Sequence, residues 1–369
     1  MKAAVMRATN APLEIEEVTI DDPGPGEVLL ATAASGICHS DLHVIEGGLP
    51  MPPPCILGHE PSGIVEAIGD GVTDFVPGDH VIGCITNWCG VCKFCTGGRP
   101  YLCPSQFNGR PEGAKSRLTG QDGNAILQFA NLSSFAEKML CPERSLVKIR
   151  DDMPLDRAAL IGCGVTTGVG AALNTARVEA GSTCVVIGCG GVGLSIIQGC
   201  RIAGADRIIA VDVNPERLQL AKRFGATHTI LADRDDEGLL AAAAQVKALT
   251  QGRGADCAIE CTAVPALGAA PLAMIRNAGI AVQASGIEQE LTIDMNLFEW
   301  DKVYINPLYG QCRPRIDLPK LLQLYASGDL LLDELVTRTY PLTELATAFD
   351  DMLAGRNAKG VIVFDEAAD

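Results

Sequence analysis

The sequence predicts an α/β protein that joins a mostly β domain to a parallel, doubly wound sheet. Three observations carry this prediction: a length of 369 residues, an early segment rich in Gly, Pro and β-branched residues, and a later alternation of apolar strands with helices. A chain of this length exceeds what one hydrophobic core usually serves, so two domains are expected.

Residues 1–164 are predicted to form the mostly β domain. Short alternating runs such as Glu27–Ala31 are separated by turn signals, among them Pro23-Gly24 and Pro77-Gly78. A closed or partly closed barrel, with loops that carry the chemistry, is the expected architecture.

Residues 165–308 have a different sequence pattern, in which apolar strand-like runs alternate with longer helical stretches such as Glu237–Thr250. This alternation predicts a doubly wound parallel sheet. The predicted strands are Cys184–Ile187, Arg207–Val211, Cys257–Glu260 and Ile280–Ala284.

Residues 309–369 contain two predicted helices, near Leu318–Ala326 and Leu342–Leu353, and an apolar terminal strand, Gly360–Phe364. We expect this stretch to return to the first domain.

The composition narrows the function classes. A formal net charge of −16, spread along the chain, disfavours binding to nucleic acid or to an anionic membrane. The N-terminal stretch lacks a signal-peptide core, and no apolar run is long enough to span a bilayer, so a cytoplasmic location is expected. In such a chain, closely spaced cysteines among the 15 indicate metal binding or catalysis rather than disulfides.

The segment Thr183–Gly193 fits a strand, then G-x-G-x-x-G, then a helix, which is typical of a dinucleotide site. The first glycine would make the tight turn, the second would let a pyrophosphate approach the helix N-terminus, and the third would let the helix pack close to the strand. The predicted binding residues in this turn are Gly188, Gly190, Gly191, Val192 and Gly193.

Asp212 lies 19 residues after Gly193, where a carboxylate can bind the ribose hydroxyls and repel a 2′-phosphate. NAD is therefore predicted over NADP, a preference that Arg217 weakens slightly. The alternative is a glycine-rich turn without a ligand, with Asp212 as a helix cap.

Four cysteines within 15 residues, in the order C-x-x-C-x-x-C-x7-C, can close a tetrahedral zinc site with no open position, which makes the site structural. Buried or disulfide-bonded cysteines are the alternative. The four residues are Cys89, Cys92, Cys95 and Cys103.

In its ordered motifs the whole chain resembles the zinc-containing alcohol dehydrogenases of the medium-chain dehydrogenase/reductase superfamily. The motifs are GICHSD, GHE, GDHV, the four-cysteine lobe, GCGVTTG, GCGGVG and VDVN. The resemblance implies a GroES-like catalytic domain, a Rossmann coenzyme domain and a catalytic zinc, whose ligands would be Cys38, His59 and Cys163. Spacing alone does not select these three residues.

The resemblance also implies the roles of their neighbours. Ser40 and His43 would relay the alcohol proton through the nicotinamide ribose to solvent, although Ser40 as a helix cap and His43 as an ordinary surface histidine are the alternatives. Asp41 would orient His59, and Glu60 would act as a transient metal ligand.

Two departures concern the cofactor pyrophosphate, where His39 and Lys359 stand at positions that carry Arg in many members. We expect both to contact the pyrophosphate, with altered NAD affinity.

The predicted reaction is the oxidation of a medium-sized or aromatic primary alcohol to its aldehyde, or the reverse, with hydride transfer to NAD. In family members that oxidise the glutathione–formaldehyde adduct, acidic residues are expected in the loop before GHE and an Arg after the fourth lobe cysteine. Here the loop Gly47–Leu57 contains no acid and Phe107 stands near the Arg position, so this reaction is the less favoured alternative. A sensor that binds NAD and zinc without turnover is the other. By analogy with the family we expect two zinc ions per subunit and a homodimer, paired near Val303–Gly310.

Overall fold

A computed structural model describes residues 1–106, 109–111, 113–287 and 289–364, and these residues divide into two compact units. The first unit contains Met1–Cys163, Arg313–Ser327 and the described chain from Leu332 onward. The second contains Gly164–Cys312 and Gly328–Leu331. The sequence places the boundaries at 164/165 and 308/309, whereas the structure divides the chain at 163/164 and 312/313 and returns residues 328–331 to the second unit.

The strands are short in the first unit, apart from two strands of ten and eight residues, and they are regularly spaced in the second. In chain order they are β1 (Lys2–Met6), β2 (Glu14–Glu17), β3 (Thr19–Ile20), β4 (Glu27–Gly36), β5 (Cys55–Ile56), β6 (Pro61–Ile68), β7 (His80–Gly83), β8 (Leu118–Thr119), β9 (Leu127–Gln128), β10 (Lys138–Pro142), β11 (Leu146–Lys148), β12 (Thr183–Ile187), β13 (Arg207–Asp212), β14 (His228–Leu231), β15 (Ala255–Glu260), β16 (Ile275–Gln283), β17 (Val303–Ile305), β18 (Val336–Tyr340) and β19 (Lys359–Val363).

The helices are concentrated in the second half of the chain, and several short 3-10 turns connect the elements. In chain order the helices are α1 (His39–Ile45), α2 (Lys93–Thr96), α3 (Leu155–Ala159), α4 (Gly164–Gly170), α5 (Gly191–Ile202), α6 (Pro215–Phe224), α7 (Leu240–Leu249), α8 (Ala270–Met274), α9 (Pro314–Ala326) and α10 (Leu345–Leu353).

The first unit is built around β4, which pairs antiparallel with β6, β10 and β19. It belongs to a seven-stranded sheet in the order β11-β7-β6-β4-β19-β18, with β10 as a further partner of β4. A four-stranded sheet, β2-β1-β5-β9, and the pair β3-β8 complete the unit. The C-terminal strand β19 therefore joins the first unit's sheet.

The second unit contains a six-stranded sheet in the order β14-β13-β12-β15-β16-β17, in which every pairing is parallel. Its inner strands are apolar on both faces, and their side chains pack against α7 and α8. The predicted combination of a mostly β unit with a doubly wound parallel sheet is confirmed.

Three predicted helices begin at different residues in the structure, and one of them, α9, begins at Pro314 rather than near Leu318. Gly238 and Leu239 have positive φ angles of 62° and 55°, so α7 begins at Leu240 rather than at Glu237. A 3-10 turn precedes α10, which therefore begins at Leu345 rather than at Leu342. These are end effects that apolar periodicity does not resolve.

Among the described residues, no single helix is long and apolar enough to cross a membrane. One bent pair, Leu155–Gly162 followed by Gly164–Thr175, passes that test by length and composition alone. Most of its side chains are buried inside the protein.

Candidate active site

Three protein segments of the first unit converge on one partly buried cluster. Cys38 follows β4 and immediately precedes α1, His59 follows β5, and Cys163 lies at the end of the unit's N-terminal segment. One potential ligand atom from each of these residues, and one from Glu60, lie within 4.8 Å of one another. Chain folding therefore brings together the residues that the resemblance selected from 15 cysteines and five histidines.

Asp41 sets the orientation of the His59 ring. This carboxylate is fully buried, and its Oδ1 accepts a hydrogen bond from the Gly58 amide at 2.9 Å and lies 3.1 Å from His59 Nδ1. With Nδ1 directed at Asp41, His59 presents Nε2 to the cluster, where this nitrogen can bind a metal. Gly58 has a φ of 91°, and an added Cβ there would lie 2.6 Å from the Phe135 amide nitrogen, so the approach to His59 requires glycine.

The donor set suits a zinc ion with an open position. Two thiolates and one imidazole leave a fourth place for water or substrate, because the other member of the cluster, Glu60, is a carboxylate paired with Lys359. A hydrogen bond from the Cys163 thiol lowers the pKa of Cys38 well below its usual value, which favours the thiolate that a metal requires.

Glu60 and Lys359 form a buried ion pair beside these ligands. Lys359 Nζ lies 2.7 Å from each carboxylate oxygen of Glu60 and donates to the Ile37 carbonyl at 2.8 Å. Burial raises the pKa of Glu60 to about 7, against the opposing effect of the Lys359 charge. An added Cβ at Gly36 would lie 2.0 Å from Glu60 Oε2, so this carboxylate also depends on a glycine.

This pair changes the expectation for Lys359. The sequence predicts a cofactor pyrophosphate as its partner, whereas the structure gives the ammonium the Glu60 carboxylate and a backbone carbonyl. The physical reason is that Lys359 is only 7% exposed and must neutralise a buried carboxylate. The pyrophosphate contact stays a prediction.

The first turn of α1 carries the predicted proton relay. Ser40 Oγ lies 3.7 Å from Cys38 Sγ, and the half-buried His43 is one turn further along the helix. The alternative for Ser40, helix capping, does not hold, because Cys38 occupies the N-cap and no side chain caps the helix there. The rings of His39 and His43 stand edge to face with their centroids 6.4 Å apart, and His39 is exposed on the helix surface.

The four lobe cysteines meet in a second cluster, with one sulfur from each within 4.8 Å of the others. The Sγ–Sγ distances are 4.0 Å for Cys89–Cys95 and 3.9 Å for Cys92–Cys103. Tetrahedral Zn–S bonds of about 2.3 Å would place sulfurs about 3.8 Å apart, so the cluster fits zinc. All four are free thiols, which excludes the disulfide alternative.

Backbone amides support this arrangement of sulfurs. Sγ of Cys89, Cys92 and Cys103 each accepts a hydrogen bond from an amide of the lobe, at 3.3 to 3.5 Å. Such donors stabilise thiolates and therefore favour metal binding. Arg144, which the sequence analysis did not single out, donates to the Cys89 carbonyl and ties the lobe to the residues after β10.

The glycine-rich turn of the second unit connects β12 to α5. Gly188 has a φ of 93°, and an added Cβ at Gly193 would lie 1.9 Å from the Gly188 carbonyl oxygen. An added Cβ at Gly190 meets no described atom within 4 Å, so space remains there for a ligand to approach the backbone. Gly191 and Val192 open α5. The turn therefore fits a dinucleotide pyrophosphate.

Asp212 ends β13 beside this turn. Its Oδ2 accepts from the Cys189 amide at 2.7 Å and its Oδ1 accepts from the Asn214 amide at 2.8 Å. The helix-cap alternative does not hold, because Asn214 is the N-cap of α6, where its side chain accepts from the amides of Glu216 and Arg217. Asp212 thus fixes the turn, and each of its oxygens keeps lone-pair capacity for a ribose hydroxyl.

Two family models match the chain: "Alcohol dehydrogenase GroES-like domain" over residues 24–151 and "Zinc-binding dehydrogenase" over residues 191–327. "Putative alcohol dehydrogenase D" of Mycobacterium tuberculosis is 39% identical over 374 aligned residues, which cover 98% of this chain and 99% of that protein. The chain belongs to the zinc-dependent alcohol dehydrogenases. Zinc and an NAD-type cofactor are the cofactors of this family.

Further comparisons place this alcohol dehydrogenase among enzymes of several named activities. "S-(hydroxymethyl)glutathione dehydrogenase" of Paracoccus denitrificans is 36% identical, with 98% of this chain and 99% of that protein covered. The crystal structure of an alcohol dehydrogenase zinc-binding domain protein from Burkholderia ambifaria matches with a TM-score of 0.91 and 34% identity. That of benzyl alcohol dehydrogenase from Acinetobacter calcoaceticus matches with 0.88 and 33%. Each of the two comparisons covers 99% of both chains.

The apolar surroundings of the alcohol dehydrogenase's catalytic cluster come partly from residues that the sequence analysis missed. Phe129 stands edge to face against the His59 ring, with a centroid distance of 5.4 Å. No motif marks Phe129, because only the fold brings it to His59. In the acid-free loop Gly47–Leu57, Leu49 and Met51 pack against the first unit's core. Phe107, which the sequence places near an expected Arg, lies outside the described residues.

Proposed function

We propose that this enzyme oxidises a medium-sized or aromatic primary alcohol to its aldehyde, or catalyses the reverse reaction, with NAD as the hydride acceptor. The observation that carries this proposal is the cluster of Cys38, His59 and Cys163, beside a Glu60 carboxylate that pairs with Lys359, in apolar surroundings. Phe129 contacts His59, and the nearby loop Gly47–Leu57 contains no acid. The similarity to a benzyl alcohol dehydrogenase supports an aromatic substrate.

The residues of the first unit supply binding and proton transfer. Cys38, His59 and Cys163 would hold the catalytic zinc, which as a Lewis acid acidifies a bound alcohol, while NAD accepts the hydride. Ser40 Oγ would receive the alcohol proton and pass its own proton towards His43, whose side chain reaches solvent. Asp41 would keep His59 in the tautomer that binds metal.

The cofactor preference is proposed from Asp212. A 2′-phosphate would bring negative charge beside a carboxylate that is fixed by two backbone amides, so NAD is favoured over NADP. Arg217, on the first turn of α6, offsets part of this repulsion. We further propose two zinc ions per subunit, one in each cysteine-containing cluster.

Oxidation of the glutathione–formaldehyde adduct is the second candidate, favoured by the similarity to an S-(hydroxymethyl)glutathione dehydrogenase. An anionic glutathione adduct needs cationic and hydrogen-bonding partners, and the loop Gly47–Leu57 carries no charged side chain. An apolar alcohol makes no such demand, so we prefer it.

The deciding experiment follows NADH formation with benzyl alcohol, cinnamyl alcohol, octanol, ethanol and formaldehyde plus glutathione. We expect the highest kcat/KM for an aromatic or medium-chain alcohol, a much lower rate with NADP, and loss of activity after chelation of zinc. The highest kcat/KM for formaldehyde plus glutathione would overturn the substrate proposal. If no alcohol gives detectable turnover, even in the presence of a dye acceptor that reoxidises bound NADH, a non-catalytic sensor would be favoured.

We also propose a homodimer that pairs through β17. This strand lies at the edge of the parallel sheet, and the chain around it exposes Val303 by 49%, Trp300 by 66% and Met295 by 72%. Exposed apolar side chains beside an unpaired edge favour pairing with a second copy. Sedimentation should give twice the chain mass of 38.7 kDa, and Val303→Lys should give a monomer, while Leu240→Lys, at an exposed position of α7, should not. A monomeric wild type would refute the pairing.

A further inference from the structure

The carboxyl ends of β12 and β15 flank the point where the sheet's strand order reverses. From β12 the chain continues outward through β13 and β14, whereas β15 begins the opposite half, which continues through β16 and β17. In doubly wound sheets the ligand lies in the crevice at this point. The glycine-rich turn follows β12, and β15 ends at Glu260, so Glu260 borders the dinucleotide site.

The residues after β15 pack directly against the glycine-rich turn. The Cys261 amide donates to the Ile187 carbonyl at 3.0 Å, and the Cys261 thiol lies 3.1 Å from that oxygen and 3.2 Å from the Gly188 carbonyl oxygen. An added Cβ at Gly188 would lie 2.8 Å from Thr262 Cγ2. The Thr262 methyl group therefore lies beside the Gly188 backbone.

Glu260 holds that side chain in place. Its Oε1 accepts hydrogen bonds from both the amide and the hydroxyl of Thr262. Its Oε2 accepts from Ser285 Oγ at 2.6 Å and from Gln283 Nε2 at 2.7 Å. The carboxylate thus connects the segment after β15 to the end of β16 and the residues after it. Through its carboxamide oxygen, which accepts from Tyr304 at 3.0 Å, Gln283 extends the network to β17.

Burial of the Glu260 carboxylate has a desolvation cost that packing alone does not explain. Glu260 is fully buried, and none of the described ion pairs includes it, so its desolvation is balanced by neutral hydrogen-bond donors alone. A neutral or apolar residue would serve a purely structural role at lower desolvation cost. All the bonds of Glu260 converge on segments at the carboxyl edge of the sheet, where the dinucleotide binds.

We propose that Glu260 is a positioning residue for the dinucleotide cofactor and acts through Thr262 on the glycine-rich turn. The carboxylate does not touch the cofactor. It fixes the Thr262 rotamer so that the methyl group faces Gly188, and this contact holds the turn in the conformation that accepts a pyrophosphate. The inference rests on dinucleotide binding to the second unit and deepens the assignment of that site.

Substitution of Glu260 by glutamine removes the negative charge and keeps nearly the same side-chain shape. In Glu260→Gln the amide oxygen can still accept from Thr262. The new NH2 group then faces the Gln283 NH2 group, and because both are donors, the hydrogen bond from Gln283 is lost. The network then rearranges and releases Thr262. Thr262→Val removes the hydroxyl that Glu260 holds and keeps the methyl group, so it tests the same link from the other side.

The experiment is a fluorescence titration of the zinc-loaded enzyme with NADH, which gives Kd without turnover. We expect Glu260→Gln to raise Kd about tenfold and Thr262→Val about fivefold. The double variant should resemble Glu260→Gln alone, since residues that act as one unit are not additive. The matched control is Glu179→Gln, an exposed glutamate of the same unit, which should leave Kd unchanged. Zinc content should stay at the wild-type value in all variants.

Each outcome decides the inference. A Glu260→Gln enzyme that binds NADH within twofold of wild type overturns it, and fully multiplicative effects in the double variant overturn the route through Thr262. If Glu260→Gln does not fold, Ser285→Ala removes one donor from the same carboxylate, and an unchanged NADH Kd in that variant counts against the network. A wild-type enzyme that binds no NADH would instead refute the dinucleotide site itself, so the two failures are distinguishable.

Discussion

The buried charge network at Glu27 yields a prediction whose size follows from the structure. Glu27 opens β4 and is 5% exposed, and it accepts hydrogen bonds from Arg110 and Arg117 and from the Gly24 amide, the closest at 2.6 Å. Burial alone would raise its pKa, but these donors outweigh burial and lower the pKa from 4.5 to about 2. The network ties the segment that carries both arginines to the central strand of the first unit.

A lowered carboxyl pKa means that the ionised form stabilises the fold. This contribution is complete at pH values well above 4.5 and is lost as the pH falls through the folded-state pKa near 2. A fall from 4.5 to about 2 corresponds to about 3 kcal/mol at neutral pH and about 1.5 kcal/mol at pH 3. We therefore expect Glu27→Gln to lower the free energy of unfolding by about 3 kcal/mol at pH 7, with a smaller loss in acid.

Urea unfolding followed by tryptophan fluorescence tests this prediction. The chain has two tryptophans, and in a Trp300→Phe background Trp88 reports the unit that contains Glu27. Asp152→Asn is the control, because its ion pair with Arg150 is exposed and screened by solvent, so its loss should change the stability little. A Glu27→Gln protein as stable as wild type at pH 7, or a loss of equal size at pH 7 and pH 3, would refute the electrostatic reasoning.

Three further predictions concern the cofactor sites. Gly193→Ala should raise the NADH Kd at least tenfold in a titration, because the new Cβ would lie 1.9 Å from the Gly188 carbonyl oxygen, and an unchanged Kd would contradict the packing role of this glycine. Cys95→Ser should reduce zinc from two ions to one per chain by atomic absorption, since one sulfur of the lobe cluster is lost, and retention of both ions would contradict a structural site there. Asp212→Ala should lower the ratio of kcat/KM for NAD to that for NADP about tenfold or more, and an unchanged ratio would show that this carboxylate does not select the cofactor.

The sequence determined the features that depend on local pattern. The alternation of apolar runs with helices after residue 165 predicted the parallel sheet, because both periodicities are written in consecutive residues. The glycine-rich turn and the four-cysteine lobe were also predictable from the sequence, since the residues of each site lie within 15 residues of one another. The ends of the helices were harder to predict from the sequence. For example, α7 starts three residues later than predicted because two residues before it have positive φ angles.

Spacing could not assemble the dispersed cluster. Cys38, His59 and Cys163 are far apart in the chain, and only the resemblance to a family selected them before the fold brought their ligand atoms within 4.8 Å. The contact between Phe129 and His59 carried no sequence signal at all. In each case the deciding quantity is a distance between residues remote in sequence, and local periodicity contains no information about such distances.

Tertiary structure also decided what the charged side chains do. Lys359 stands at a position where the sequence suggested a pyrophosphate ligand, yet burial beside Glu60 makes the pairing of those two charges the dominant interaction. Glu260 was read only as the end of a strand, and its four hydrogen bonds became visible once β15 and β16 lay side by side. The sequence therefore determined which chemical groups this protein has and the elements that carry them. Burial and packing decided which charges must be neutralised and by what partner, because the cost of an unpaired charge depends on the solvent that the fold excludes.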